Sequence, residues 1–287
     1  MRRVTTSDQA VAAGRGGPRE IDEDFRTGLD PAVWTAAYLP AWSSRTAARA
    51  TYAVAGDGLH LSVPAEHPRW CPDLHEPPLR VSAVQSGSWS GPVGSTQGQQ
   101  PFREGLVVTE EQRPVWGFTP LYGRVEVECR AVVGRGSMFS AWLVGLEDVP
   151  ERSGEICLVE VFGSTVGVGS DGAAVAAVGS GVHAFRDPAL HEDFTALPAA
   201  LDVAAFHTYA VDWRPGRLAF SIDGSPTRVV DEAPDYPVQL ILGVFDFPAE
   251  GPDPEVVPEL VVRRVRGSRL SLVDAPVRGQ AGSVQRS

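Results

Sequence analysis

Gly154-Glu155-Ile156-Cys157-Leu158-Val159-Glu160-Val161-Phe162-Gly163 is an apolar, β-branched run interrupted by two glutamates. Such a composition between glycines predicts a strand. Successive side chains of a regular strand alternate faces, so Glu155 and Glu160, five positions apart, would point to opposite sides of a sheet. One extra residue near Leu158 or Val159, a β-bulge, brings both to one face. Their Cα atoms would then stand about 13 Å apart, at roughly 3.3 Å per step over four effective steps, and two long side chains leaning together close much of that gap.

Short β-type runs continue on either side: Leu59 to Val63, Leu79 to Gln85, Gly105 to Thr109, Gly123 to Val133, Met138 to Gly145, Thr208 to Trp213, Leu218 to Ile222, Val238 to Phe247 and Glu259 to Val265. The clearest alternation sets Val125, Val127, Cys129 and Ala131 on one face against Glu126, Glu128 and Arg130 on the other, as in a half-buried antiparallel strand. Helical periodicity is limited to a turn at Asp30 to Trp34. The 24 Pro and 30 Gly cluster between the runs, where turns need them. These features, without internal repeats, predict an all-β sandwich. Residues 1–20 read as a flexible leader, 21–273 as one domain and 274–287 as a flexible tail. Two long segments, Trp70 to Gln100 and Val182 to Leu201, read as loops walling a site.

A chain of 287 residues holds a substantial core, and its net charge of −11 argues against a nucleic-acid backbone or an anionic membrane as partner. All 25 basic residues are Arg, so lysine Schiff-base chemistry and a P-loop lysine are excluded. Cys71, Cys129 and Cys157 lack the close pairs of a zinc site, and no metal centre is expected. Met1 to Arg19 has no apolar stretch of signal-peptide length, and no run is long enough to cross a membrane, which on sequence alone predicts a cytoplasmic chain. No Gly-x-Ser-x-Gly elbow, nucleotide fingerprint or His-Glu-x-x-His motif occurs.

Two facing carboxyl groups about 5 Å apart suit a retaining glycosidase, in which one ionised carboxylate attacks the anomeric carbon and one protonated carboxyl gives a proton to the leaving oxygen. Like-charge repulsion and a partly apolar wall would separate their pKa values. Four segments in order resemble glycoside hydrolase family 16, the laminarinase, lichenase and agarase group, whose signature is Glu-x-Asp-x-x-Glu on a bulged strand. They are residues 154–163; Tyr122-Gly123-Arg124-Val125-Glu126-Val127; Gly136 to Gly145 with Ala141-Trp142-Leu143; and Phe206-His207-Thr208-Tyr209-Ala210-Val211-Asp212-Trp213 with Ile222-Asp223-Gly224. The resemblance spans roughly residues 120–247.

It implies a β-jelly-roll of two curved antiparallel sheets, concanavalin A-like, with a cleft for a β-linked polysaccharide or oligosaccharide. It further implies Glu155 as nucleophile, Glu160 as acid/base, an exported protein and no required cofactor. A monomer is expected. Where the family has its central aspartate this chain has Cys157, expected between the two glutamates; a neutral thiol there removes one negative charge and a strong hydrogen bonder. Three functions follow from these residues: hydrolysis, transglycosylation through the same intermediate, and lectin-like binding without turnover. His183 resembles the histidine after the catalytic strand and is a site candidate. Trp42, Trp89, Trp116 and Phe245 are candidates for stacking on sugar rings, and Arg124 for a sugar hydroxyl. Trp142, Trp213 and His207 read as framework. The resemblance also implies a structural calcium, for which Asp22, Asp24 or Glu259 would offer oxygens.

Overall fold

The computed structural model describes residues 20–251, 253 and 255–270. The leader and tail expected at 1–20 and 274–287 thus lie outside the described residues, apart from Glu20. Two antiparallel sheets stack face to face in a jelly-roll sandwich. One sheet of eight strands carries Gly123–Val132 at its centre, between His207–Arg214 and Glu259–Ser268. The other, of seven strands, runs in the order Gly167–Val168, Ala174–His183, Glu155–Phe162, Ser137–Gly145, Val238–Asp246, Arg80–Gln85, with Asp193–Ala199 paired to Ala174–His183.

In the eight-stranded sheet Val125, Val127, Cys129 and Ala131 face the interior, and their neighbours Arg124, Glu126, Glu128 and Arg130 stay half-exposed, as alternation predicts. The interior between the sheets holds Leu59, Leu61, Phe139, Leu143, Ile156, Val159, Trp213 and Leu260, all buried. Each such side chain stabilises the fold by about 1.5–3 kcal/mol relative to exposure. Trp213 donates Nε1–H to Pro234 O at 3.1 Å, and His207 bridges Asp223 and the Asp202 carbonyl. Both are framework, as expected.

The seven-stranded sheet behaves differently. Every residue of Ser137–Gly145 and Val238–Asp246 is buried, because loops from residues 37–48, 70–79 and 102–108 cover its second face with another apolar cluster. Trp42, Trp70, Leu106, Val108, Trp142 and Phe245 belong to it. The strand expected at Gly105 to Thr109 is therefore a loop: Leu106 and Val108 are buried by this cluster, and their backbone bonds go to other loops, as in Val108 N–H to Ser95 O at 2.7 Å. The segment Val182 to Leu201 is likewise corrected, since it contains the paired edge strand Asp193–Ala199. Residues Asp30 to Trp34 form one turn, with Trp34 N–H on Asp30 O at 2.8 Å. Among the described residues no helix is long and apolar enough to cross a membrane.

Candidate active site

The bulge expected near Leu158 is present. Along the neighbouring strand, Ala141 pairs with Val159 and Trp142 with Cys157, so Leu158 is the extra residue. Ile156, Leu158, Val159 and Val161 enter the interior, while Glu155 and Glu160 turn to the opposite face and line one cavity of about 220 Å³. Ser140 stabilises the irregular backbone by donating its Oγ–H to Val159 O at 2.9 Å. On the other side Gly181, opposite Cys157, follows the kink at φ +142°, where a Cβ would lie 2.1 Å from Asp193 O.

Glu155 is 8% exposed and sits opposite Val144 and His183 in the strand ladders. Gln100 Nε2 donates to its Oε2 at 3.2 Å. Burial first, and the Glu160 charge second, push the Glu155 carboxyl up to about 8, against the lowering effect of the Gln100 bond. Glu160 is half-buried; burial raises its pKa and the nearby His183 opposes the rise. Both carboxyls are thus held above their ordinary range, including Glu155, the group for which the resemblance implies the ionised role. Cys157 is fully buried, and burial followed by the charges of Glu155 and Glu160 holds the thiol neutral, well above its ordinary pKa.

His183 reaches the cavity, hydrogen-bonds Glu192 through Nδ1 at 2.5 Å and stacks on Phe194 at 4.5 Å between centroids. Phe245 also lines the cavity. The remaining stacking candidates do not. Trp42 is 1% exposed: its Nε1–H donates to Gln99 O at 2.8 Å, and its ring packs on Gly98, so the polar handle that suits a sugar is already used internally. Trp89 and Trp116 are half-buried, Trp116 in a two-stranded ribbon against Gly87, and neither lines the cavity. Arg124 lies on the other sheet, paired with Asp212 at 2.7 Å and Glu126 at 2.9 Å. It meets carboxylates, not the cleft.

Sequence reasoning missed Tyr38, Gln100, Met138, Ser140 and Phe185, which complete the lining, and placed Trp142 in the framework although it also lines the cavity. Gln100 and Tyr38 arrive on loops and carry no periodic signal. Trp142 pairs with Cys157 across the strands, but its own strand is buried on both faces and shows no alternation. The aromatic floor is continuous: Tyr38 meets Phe245 at 5.6 Å and Trp142 at 6.4 Å, both edge-on. Of the calcium candidates, Asp22 pairs with Arg264 at 2.6 Å, Asp24 with Arg26 at 3.3 Å and Glu259 with His60 at 3.0 Å. Among the described residues no group of three or more His, Cys, Asp or Glu is placed to hold a metal.

The sequence matches no curated protein. The structure is similar to that of the GlcNAcα1-4Gal-releasing endo-β-galactosidase from Clostridium perfringens, at 25% identity and a TM-score of 0.70. That likeness covers 86% of this chain and 61% of the relative, so the chain spans about three-fifths of that enzyme's structure. It also resembles Bacillus licheniformis β-glucanase, at 14% identity, TM-score 0.54, 89% of this chain and 100% of the other. A further likeness is to an apo transglycosylase, Crh5, at 17% identity, TM-score 0.53, 89% of this chain and 86% of the other. The last two show a shared fold. Residues 117–247, which carry the bulged strand and both glutamates, match the family model described as glycosyl hydrolases family 16.

Proposed function

We propose that this chain is a retaining, endo-acting hydrolase of a β-linked glycan. The observation that carries the reading is the bulge at Leu158, which turns Glu155 and Glu160 onto one wall of an aromatic-floored cavity. In the first step the Glu155 carboxylate attacks the anomeric carbon, and Glu160 passes its proton to the departing glycosidic oxygen. In the second, Glu160 takes a proton from water, whose oxygen displaces Glu155 from the sugar. Tyr38, Trp142, Phe245 and Phe185 offer apolar faces to sugar C–H groups, and His183 a polar contact. The order of the two roles comes from the family signature. The raised pKa of Glu155 opposes it, and because turnover needs one proton on the pair, loss of that proton sets the basic limb of kcat/KM near pH 8.

A second reading, a glycan-binding protein without turnover, is favoured by the neutral Cys157 between the two carboxyls. Reducing-end release from a panel of β-1,3- and mixed-linkage glucans, galactans and xyloglucan separates the readings, with Glu155→Gln as control. Release by the wild type alone supports hydrolysis; binding without release supports the second reading. Longer oligosaccharides formed without a matching rise in reducing ends would identify transfer to a sugar acceptor. Cys157→Asp adds a third carboxyl beside the pair, and the hydrolase reading predicts a shift of the basic limb.

A further inference from the structure

A second cavity, of about 390 Å³, opens beside the cleft. It is lined by Thr96, Gln97, Arg103, Glu147 and Arg186, among others, and it adjoins the first cavity at two walls. Gln100 lines the first and the next residue, Pro101, the second; Phe185 lines the first and Arg186 the second. Among the described residues its only lining carboxylate is Glu147, whose side chain is 2% exposed. That carboxylate is already engaged, accepting Gln100 N–H at 2.6 Å and pairing with Arg186. Glu147 therefore fixes the Arg186 guanidinium and offsets much of its charge.

Two arginines line the pocket, and Arg103 is the one without a carboxylate partner among the described residues. Arg186 keeps 40% of its side chain exposed, and its backbone N–H is fixed by Ser153 Oγ at 2.9 Å. Arg103 is exposed and has one hydrogen bond, from Nη1 to Leu74 O at 3.2 Å, and no carboxylate partner among the described residues. A guanidinium has five donors in a planar fork suited to a carboxylate or a sulfate-like oxyanion. The pocket is also tied to the cleft through Arg186, Glu147, Gln100 and Glu155, each hydrogen-bonded or ion-paired to the next. Two guanidinium groups on one pocket, one of them without a carboxylate partner among the described residues, would be an unusual wall for a neutral sugar in a chain of net charge −11.

We propose that this pocket is a subsite for an anionic substituent, a sulfate ester or a carboxylate, on a sugar of the glycan adjoining the bond between the two glutamates. The inference rests on the glycan reading of the cleft and names the substrate class: an acidic β-glycan. Arg103 and Arg186 hold the oxyanion, and Thr96 and Gln97 supply neutral polar contacts.

The test is calorimetric titration of the full chain carrying Glu155→Gln, which removes turnover. Three β-galactan oligosaccharides of equal length serve as probes: unsubstituted, sulfated and carboxylated. The proposal expects at least one charged probe to bind about tenfold tighter than the neutral one at low salt, and the gap to narrow in 1 M NaCl. Which charged probe gains identifies the substituent. Adding Arg103→Gln, at an exposed position whose one bond is to a carbonyl, should remove most of that gain and leave the neutral probe unchanged. Equal binding of all three probes, or an equal loss for all three in Arg103→Gln, overturns the subsite while leaving the glycan reading in place. Binding of none of the three by a folded chain overturns the subsite on a β-galactan, while the glucan and xyloglucan arms of the panel test the glycan reading separately.

Discussion

The two sheets share one antiparallel geometry and differ in what lies over their outer faces. On the eight-stranded sheet the outer charges meet water and one another: Arg124 with Asp212 and Glu126, and Arg263 with Glu128. On the seven-stranded sheet loops cover the outer face, and Glu155 is enclosed with its pKa raised to about 8. The same residue type is thus a solvated partner on one sheet and a buried, proton-binding group on the other. A carboxylate that is buried without a cation is costly, and that cost marks the cleft as the place where the molecule gives up stability.

The largest expected effect separates the sheets by activity. Glu155→Gln or Glu160→Gln should lower turnover about a thousandfold or more, whereas Glu126→Gln on the other sheet should leave it within about twofold. Initial rates on the substrate found in the glycan panel check this, and equal losses at all three positions would erase the distinction. Next in size is an ion pair at the edge of the covered sheet. Arg80 pairs with Asp246 at 2.8 Å, the aspartate side chain being 3% exposed, and also donates to Pro64 O and Ala65 O. Arg80→Ala strands that carboxylate and should cost about 3–5 kcal/mol in denaturant unfolding.

A third test uses pH. Because Glu155 binds its proton more tightly folded than unfolded, its contribution is fully present below about 4.5 and is lost as pH rises to about 8, at roughly 1.4 kcal/mol per unit. Glu155→Gln should therefore melt above the wild type at pH 8 and close to it at pH 5. A Tm difference independent of pH would show that the carboxyl is not held protonated. The smallest effect belongs to the outer sheet: Arg124→Ala should cost about 1 kcal/mol or less, with KM unchanged.

How far the sequence could be read follows the same division. Alternation in Gly123–Val132 disclosed both faces of its strand, because one face is apolar and the other wet. The bulge was legible from Glu155 and Glu160, two charges that an unbulged strand would have sent to opposite faces. In Ser137–Gly145 both faces are buried, so alternation vanishes and Trp142 could not be assigned to the cleft. Trp42 misled for the opposite reason, since its N–H finds a loop carbonyl that periodicity cannot foresee. Gln100 lies 55 residues before Glu155 and meets it only through the fold.

The most direct test of the central claim is covalent trapping. An activated 2-deoxy-2-fluoro-β-glycoside of the sugar preferred in the panel should accumulate as a glycosyl-enzyme, because fluorine at C2 destabilises the oxocarbenium-like transition state of both steps. Peptide mass mapping should place the added mass on Glu155 in the wild type and on no residue in Glu155→Gln. A label on Glu160 would reverse the two roles in favour of the electrostatic order. Turnover of the unfluorinated substrate with no trapped glycosyl on either glutamate would contradict the account.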